Sequence, residues 1–341
     1  MSSRSLVRTS IICVLLLLLS TTMIAAKDKG VIYYLSPNQF DEMQTAATLM
    51  IKKAVEAAGY TCRTVTAGNE DVSLQLNQLD NAISQNPKAI IVAAVDGTAI
   101  CGGVDKARAA GIPVMSFNRV ISDTEVDFHS VAGCKMMGIR AGHEIARLLK
   151  EKYGTVKGTI LDIMGDPGDS YTTLIEEGFR EVMADYPDVK IDTKIAYDWE
   201  ASRAANIADD YLIAHPKTDM IFPHSDHLTA AVVSVLQNKG YKKNDIIMVS
   251  CTGMPMGLDL IREGWVSCLV EEPVGAQAEG IAMFLDDIIA GKKPALGKYD
   301  VKGIDAELIE MPYGLELRIT GNVIDISNVD DPVWWGNQVG K

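Results

Sequence analysis

The sequence predicts an α/β protein made of two doubly wound parallel-sheet lobes. Its 341 residues are enough for two domains, since one domain commonly takes about 100–200 residues. With 48% hydrophobic and 23% charged residues, the chain can bury substantial cores. From Gly30 to Ala290, short and nearly continuous apolar runs alternate with amphipathic segments. Such runs are typical of parallel strands, because helices cover both faces of a parallel sheet.

The first half of the chain repeats a strand followed by a helix. Apolar residues at helical spacing predict the helices, and two of these helices stop at Gly59 and Gly111. The predicted strands are Val31–Leu35, Cys62–Val65, Ala89–Ala94 and Val114–Phe117, and the predicted helices are Met43–Ala58, Val72–Ile83 and one that ends at Ala110. Right-handed crossovers would place the helices on both faces of one sheet.

The same rhythm restarts after a polar stretch at residues 120–125. The predicted strands are Thr159–Met164, Lys190–Ile195, Asp219–Pro223, Ile246–Val249 and Val266–Val270, and the predicted helices are Lys135–Lys150, Tyr171–Asp185, Ser202–Ala214, Leu228–Lys239, Met256–Glu263 and Gly275–Ala290. Segments with β signals follow at Leu308–Met311 and Gly314–Ile319, before a polar tail that contains Trp334 and Trp335. Two copies of one architecture therefore stand in tandem.

The first 26 residues have the order of a secretory signal peptide. Arg4 and Arg8 precede the apolar run Ile11–Leu19, and a stretch of small and polar residues ends at Ala26. The run is short for a bilayer with about 30 Å of hydrocarbon, so an uncleaved membrane anchor is the less favoured alternative. We expect a cleaved signal and an exported, periplasmic protein.

Charge and cysteine content exclude several classes of protein. The net charge of −13 is unsuited to nucleic acid, whose affinity for proteins comes largely from basic patches. Five cysteines follow the predicted signal, and this odd number leaves at least one thiol unpaired within a monomer. They are Cys62, Cys101, Cys134, Cys251 and Cys268, with no CxxC pair among them. We interpret them as small buried residues.

Polar residues follow the predicted strands, where ligands of open parallel sheets bind. Those of the first half are Ser36, Asn38, Gln39 and Phe40, then Asp96, Asn118 and Arg119. Those of the second half are Asp166, Ser225, Asp226, Thr252 and either Glu271 or Glu272. Adjacent residues of a strand point to opposite faces, so only one of these two glutamates enters a cleft.

Motifs of enzymes and cofactor sites are missing. No GxGxxG follows the first strand, which excludes the dinucleotide fingerprint. His224 and His227 lie at a strand end, where helix capping by the residues between them is a better explanation than a metal site. Gly168-Asp169-Ser170 would need a late Asp-x-x-His to complete a nucleophile triad, but no histidine follows His227, and His224 stands in the place of that aspartate. We therefore expect no catalysis, no cofactor and no metal.

Several stretches together resemble one known family. They are Gly111–Arg119 (GIPVMSFNR), Glu177–Phe179 (EGF), Ala214–Phe222 (AHPKTDMIF), Ser225-Asp226 and Gly264–Pro273 (GWVSCLVEEP). The chain resembles the periplasmic sugar-binding proteins of ABC importers, of the ribose- and galactose-binding type, which share their fold with lactose-repressor-like effector domains.

The resemblance implies two lobes joined by a hinge of three crossovers, placed near Gly133, Glu272 and Lys298. The lobes would be residues 27–132 plus 273–298, and residues 133–272 plus 299–341, after a signal peptide at 1–26. Two such lobes close on a ligand about their hinge.

The resemblance also assigns roles to individual residues. Ser36 and the loop of Asn38, Gln39 and Phe40 match first-strand contacts, and Asn118 with Arg119 matches an acid and arginine pair. Trp199 falls where an aromatic ring stacks on a sugar, and Ser225, Asp226, Thr252 and Glu271 match polar positions of the second lobe. Residues 172–177 lack an expected arginine, Ala93-Ala94 replaces an amide, and Asn118 and Thr252 stand where aspartates are common. The sequence therefore leaves the sugar or polyol open.

The resemblance implies a monomer that captures a monosaccharide or sugar alcohol by lobe closure and delivers it to an ABC permease. The alternative is a sensory binding protein that presents a sugar-like signal to a membrane receptor or kinase. Gene neighbours would distinguish these two functions.

Overall fold

The computed structural model describes residues 28–39 and 42–339. The predicted signal peptide and Phe40 lie outside these residues. The described chain contains fourteen strands in two sheets. They are β1 Val31–Ser36, β2 Thr61–Thr66, β3 Ala89–Val92, β4 Val114–Phe117, β5 Val126–Ala132, β6 Gly158–Met164, β7 Val189–Ile195, β8 Met220–Pro223, β9 Ile247–Thr252, β10 Cys268–Glu271, β11 Gly297–Val301, β12 Ile304–Met311, β13 Gly314–Ile319 and β14 Val323–Asp325.

Nine α-helices of the described chain cover the two sheets. They are α1 Glu42–Ala57, α2 Val72–Ser84, α3 Cys101–Ala109, α4 Cys134–Tyr153, α5 Ser170–Met183, α6 Ala201–Ala214, α7 Asp226–Asn238, α8 Pro255–Arg262 and α9 Val274–Ile289. Their inward faces are apolar, and no helix among the described residues is long and apolar enough to cross a membrane.

Each lobe has one sheet with a core on either side. The first sheet has the order β11-β12-β13-β5-β4-β3-β1-β2, and the second has the order β14-β10-β9-β8-β6-β7. Most neighbouring strands are parallel, while β11, β12 and β13 form antiparallel pairs and β14 is antiparallel to β10. The two-lobed α/β fold expected from the sequence is confirmed.

The chain passes between the sheets three times, at neighbouring points. The first passage is at Gly133, whose amide donates to the carbonyl of Ile319 at 2.9 Å. The second follows Glu271, whose amide donates to the carbonyl of Asn322 at 2.9 Å. The third is residues 320–322, between β13 and β14. The three connections therefore contact one another and form a single hinge.

The third passage does not lie near Lys298, and the expected assignment of residues 299–341 to the second lobe needs correction. Residues 297–319 form three strands at one edge of the first sheet, where β13 pairs in parallel with β5. Only the chain from β14 onward adds to the second sheet. The reason is that β5, whose run contains Asp127, His129 and Ser130, is a strand that the apolar pattern did not indicate.

Helices α4 and α5 pack unusually closely through two glycines. A Cβ atom at Gly138 would collide with the carbonyl oxygen of Ile175, and one at Gly178 would collide with the carbonyl oxygen of Lys135. The helix backbones are thus in direct contact, which fixes the middle of α5 against the first turns of α4, next to the hinge passage at Gly133.

Candidate functional site

The polar ends of β1, β4, β9 and β10 meet beside the hinge, and Arg119 lies across the resulting cleft. Its side chain is 17% exposed. It donates to the carbonyl of Ala94 at 3.1 Å and to Glu70 Oε1 at 2.8 Å, both in the first lobe. Its Nε lies 4.0 Å from Asp169 Oδ2, at the start of α5 in the second lobe. Arg119 is therefore oriented by its own lobe and faces the other one.

The loop after β1 is tied to the same arginine. Ser36 and Asn38 are both buried, and the Ser36 hydroxyl donates to the carbonyl of Asn38 at 2.7 Å. The Asn38 amide donates to Glu70 Oε1 at 2.9 Å, so Glu70 joins this loop to Arg119. Asn38 Oδ1 is buried and has no hydrogen-bond partner among the residues that the structure describes. Gln39 follows as an exposed residue.

The conformation and contacts of Asn118 explain why an asparagine stands where the resemblance leads us to expect an aspartate. Its φ of 66° is a conformation that asparagine tolerates better than most residues. Its side-chain amide donates to the carboxylate of Glu272, and Gln277 Oε1 lies 3.4 Å away. An aspartate at position 118 would face the Glu272 carboxylate with like charge. Glu272, at the second hinge passage, therefore supplies the carboxylate that the resemblance places at position 118.

Of the two adjacent glutamates, Glu272 contacts Asn118 while Glu271 points elsewhere. Glu271 packs against Gly253 and receives a hydrogen bond from the backbone of Trp335. Burial raises the pKa of Glu271 to about 7. Only one of the two glutamates is expected to face the cleft, and the resemblance assigns that role to Glu271; the contact with Asn118 makes Glu272 the candidate instead.

The second lobe contributes a chain of hydroxyl groups. The Tyr171 hydroxyl lies 3.3 Å from Thr252 Oγ1, which is 3.3 Å from Ser225 Oγ. Ser225 Oγ is 2.9 Å from His227 Nδ1, and His227 Nε2 is 2.9 Å from the carbonyl of Trp199. Because a carbonyl only accepts, His227 donates from Nε2, and a neutral imidazole then accepts at Nδ1. Each hydroxyl then donates to the next member of the chain, starting from Tyr171.

Trp199 presents an aromatic ring beside these hydroxyls. It is half-buried, its ring centroid lies 5.9 Å from that of Tyr171, and its φ of 55° is unusual for a bulky residue. The ring occupies the space where a Cβ on Gly165 would lie. Tyr171 itself was missed by the sequence interpretation, because it is the second residue of a helix and does not directly follow a strand.

Three of the expected site aspartates stabilise local structure. Asp226 is fully buried and accepts hydrogen bonds from Ser250 Oγ and from the amides of Gly253 and Met254 at 2.6–2.8 Å. Asp96 is exposed and caps the turn before α3, and Asp166 accepts from the amides of Gly168 and Asp198. Asp226 therefore orders the turn after β9, and the structure does not bring its carboxylate to the hydroxyl chain.

A cluster of metal-ligand types, Asp162, Glu176 and His224, lies beneath the cleft, with ligand atoms within 4.8 Å of one another. His224 Nε2 is 3.0 Å from Asp162 Oδ1, and its Nδ1 is 2.8 Å from the Thr172 hydroxyl. These hydrogen bonds already account for both ring nitrogens. His224 and His227 also have separate partners, so they do not form a joint site.

Two buried carboxyl groups and one half-buried carboxyl group should make the stability of the fold decrease as the pH rises. Burial raises the pKa of Asp226, Glu271 and Glu176 to about 7, and the charge of Asp162 adds to the shift of Glu176. A raised pKa in the folded state means that stability is complete below the unfolded value of about 4 and is lost through about 7. We expect the Tm from calorimetry to fall between pH 5 and pH 8.

The variant Glu176→Gln mimics the protonated group and should flatten part of this fall, while Glu151→Gln, at an exposed position on α4, should leave it unchanged. A Tm that rises between pH 5 and pH 8 would contradict this assignment.

Comparisons with known proteins agree with the fold. A family model described as "Periplasmic binding protein domain" matches residues 31–293. The D-apiose import binding protein of Actinobacillus succinogenes is 25% identical over 310 residues, which cover 89% of this chain and 96% of the relative. The ribose import binding protein of Bacillus subtilis is 26% identical over 247 residues, with coverage of 71% and 76%.

A solved structure from Mycobacterium smegmatis, in complex with β-D-fucofuranose, superposes with a TM-score of 0.75 at 19% identity and covers 89% of this chain and 93% of its own. The two relatives are named as binding proteins and not as enzymes. The sequence interpretation of a non-enzymatic protein is therefore confirmed.

Proposed function

Since this chain belongs to the periplasmic binding protein domain family, we propose that it captures a sugar or polyol in the cleft between its lobes and delivers it to an ABC permease. The observation that carries the proposal is the set of polar groups on both sides of the hinge. Arg119, Asn118 and Asn38 belong to the first lobe, and the hydroxyls of Tyr171, Ser225 and Thr252 belong to the second.

This set suits a neutral polyhydroxylated ligand. Hydroxyl groups of the protein both donate and accept, Arg119 only donates, and Glu272 accepts when ionised, so alternating hydroxyls of a sugar or polyol find complementary partners. The Trp199 ring supplies an apolar face for the C–H groups of such a ligand. No bond is made or broken, and affinity comes from polar groups that the fold already holds in place.

The names of the two relatives favour import, since both are import binding proteins. We further propose that residues 1–26 are a signal peptide that directs export to the periplasm. The mature protein acts as a monomer. The sensory alternative differs only in the membrane partner. Co-purification of the ligand-loaded protein with a permease would favour import, and with a receptor or kinase would favour sensing.

A thermal-shift screen tests the ligand class. Pentoses, hexoses, polyols and inositols are each added to the mature protein. A ligand that binds only the folded state, present at about 100 Kd, stabilises it by about 2.7 kcal/mol, so at least one compound should raise the Tm by several degrees. A heat-unfolded and aggregated sample serves as the control: it has no unfolding transition, so none of the compounds should produce one. If no compound raises the Tm, the proposed ligand class is wrong.

A further inference from the structure

The chain after the third hinge passage returns to the cleft. Strand β14 pairs with β10, and the tail that follows is held by Arg262 on α8. Arg262 donates to the carbonyl of Val329 at 3.2 Å, to Asp330 at 2.9 Å and to Asn337 Oδ1 at 2.8 Å. The tail is thus fixed along the second lobe up to the point where it reaches the turn after β9.

The two adjacent tryptophans of the tail have different surroundings. The Trp334 ring packs in the core of the second lobe, and its Nε1 donates to the carbonyl of Asn328 at 2.7 Å, within the tail itself. Trp335 is 1% exposed and packs in a cluster that includes first-lobe residues and Met254. Its Nε1 donates to the carbonyl of Thr252 at 3.0 Å.

Thr252 holds an unusual backbone conformation at this contact. Its φ is 112°, which is unfavourable for a β-branched residue and persists only where the surroundings impose it. Its carbonyl accepts from Trp335 Nε1 and from the amide of Glu272 at 3.0 Å. Its side chain lies between Tyr171 and Ser225 in the hydroxyl chain. The next tail residue, Gly336, touches the carbonyl of Gly253 so closely that a Cβ would collide with it.

We propose that Trp335 is a positioning residue of the binding site: its indole holds Thr252 in this conformation and so fixes the middle of the hydroxyl chain in the cleft. The tail is then a part of the site's construction, although it contributes no group to the ligand. The effect on ligand affinity rests on the proposed function, whereas the effect on the Thr252 turn does not.

The test compares Trp335→Phe with Trp334→Phe by hydrogen exchange of the ligand-free protein. Each variant keeps an aromatic ring and loses one indole N–H bonded to a backbone carbonyl, but only Trp335 bonds Thr252. We expect Trp335→Phe to speed amide exchange in residues 250–256 about tenfold, as local opening becomes easier. Trp334→Phe should leave residues 250–256 at the wild-type rate. Protection of β6 reports whether each variant is folded.

Thr252→Gly provides a second arm as a background for the Trp335 variant. Glycine adopts a positive φ without strain, so Trp335→Phe should speed exchange in residues 250–256 less in the Thr252→Gly background than in the wild type. An equally large effect of Trp335→Phe in both backgrounds, or equal exchange in the two tryptophan variants, would overturn the proposal.

Calorimetric titration with D-apiose measures how each tryptophan variant changes the affinity of the binding site for a ligand. We expect Trp335→Phe to weaken binding about tenfold, or about 1.4 kcal/mol, and Trp334→Phe to leave it within about twofold. Equal affinities of the two variants would overturn the positioning role. Absence of D-apiose binding by the wild type would exclude D-apiose alone as the ligand, and the exchange results would still decide the role of Trp335.

Discussion

The variant Arg119→Ala is expected to bind its sugar or polyol at least about tenfold more weakly than the wild type, a loss of about 1.4 kcal/mol. The guanidinium is held by Ala94 and Glu70 and lies within 4.0 Å of Asp169 on the opposite lobe. Hydrogen bonds from a charged donor contribute about 1.5–3 kcal/mol each, and this donor needs no reorganisation to make them. Isothermal titration calorimetry measures the change.

Arg108→Ala is the matched control. Arg108 also lies in the first lobe and pairs with Asp127 and Glu125, but it belongs to an outer surface groove lined by residues of α3 and α9. Its replacement should leave ligand affinity unchanged. Equal affinities of Arg119→Ala and the wild type would remove Arg119 from the site, and an equal loss in Arg108→Ala would point to a general effect on the lobe.

The variant Gly178→Ala is expected to lose about 2–3 kcal/mol of unfolding free energy. A Cβ at this position would collide with the carbonyl oxygen of Lys135 and lie 2.9 Å from the amide nitrogen of Ile139, so the two helix backbones must separate. Overpacking of a core costs about 1–3 kcal/mol, and a backbone neighbour cannot move aside as a side chain does. Urea denaturation, followed by circular dichroism, gives the free energy.

Gly102→Ala separates this packing effect from helix propensity. Gly102 is exposed in α3, and a Cβ there would have nothing within 4 Å. Alanine is favoured over glycine in a helix by up to about 1 kcal/mol, so this variant should be slightly stabilised. If Gly178→Ala were as stable as the wild type, the helix backbones could not be in the contact described.

The parts of the fold with a strong local signal were predictable from the sequence. Strands such as Ala89–Val92 are continuous apolar runs, and their burial on both faces follows directly. Strand β5 contains buried polar residues, including His129, and gives no such signal. Without β5, nothing in the pattern shows that β13 has a partner in the first sheet, and the third hinge passage is therefore misplaced toward Lys298.

The sequence predicts candidate site residues at the carboxyl ends of strands, and in the structure Ser36 and Thr252 end β1 and β9 while Asn118 directly follows β4. Alternation along a strand gives two faces without saying which one meets the cleft, and the resemblance pointed to Glu271, whereas Glu272 is the glutamate that contacts Asn118. Tyr171 and Trp335 have no local signal, since the first lies within a helix and the second approaches from a tail far along the chain. Asp226 follows a strand, yet its burial and hydrogen bonds commit it to the turn after β9.

We expect one ligand to be held by both lobes at once. Hydrogen exchange of the mature protein is compared with and without the best ligand of the thermal-shift screen. The ligand should add protection in residues 36–39 and 117–120 of the first lobe together with residues 225–228 and 250–254 of the second. Protection confined to one lobe, or to the outer groove at residues 105–113 and 288–291, would contradict it.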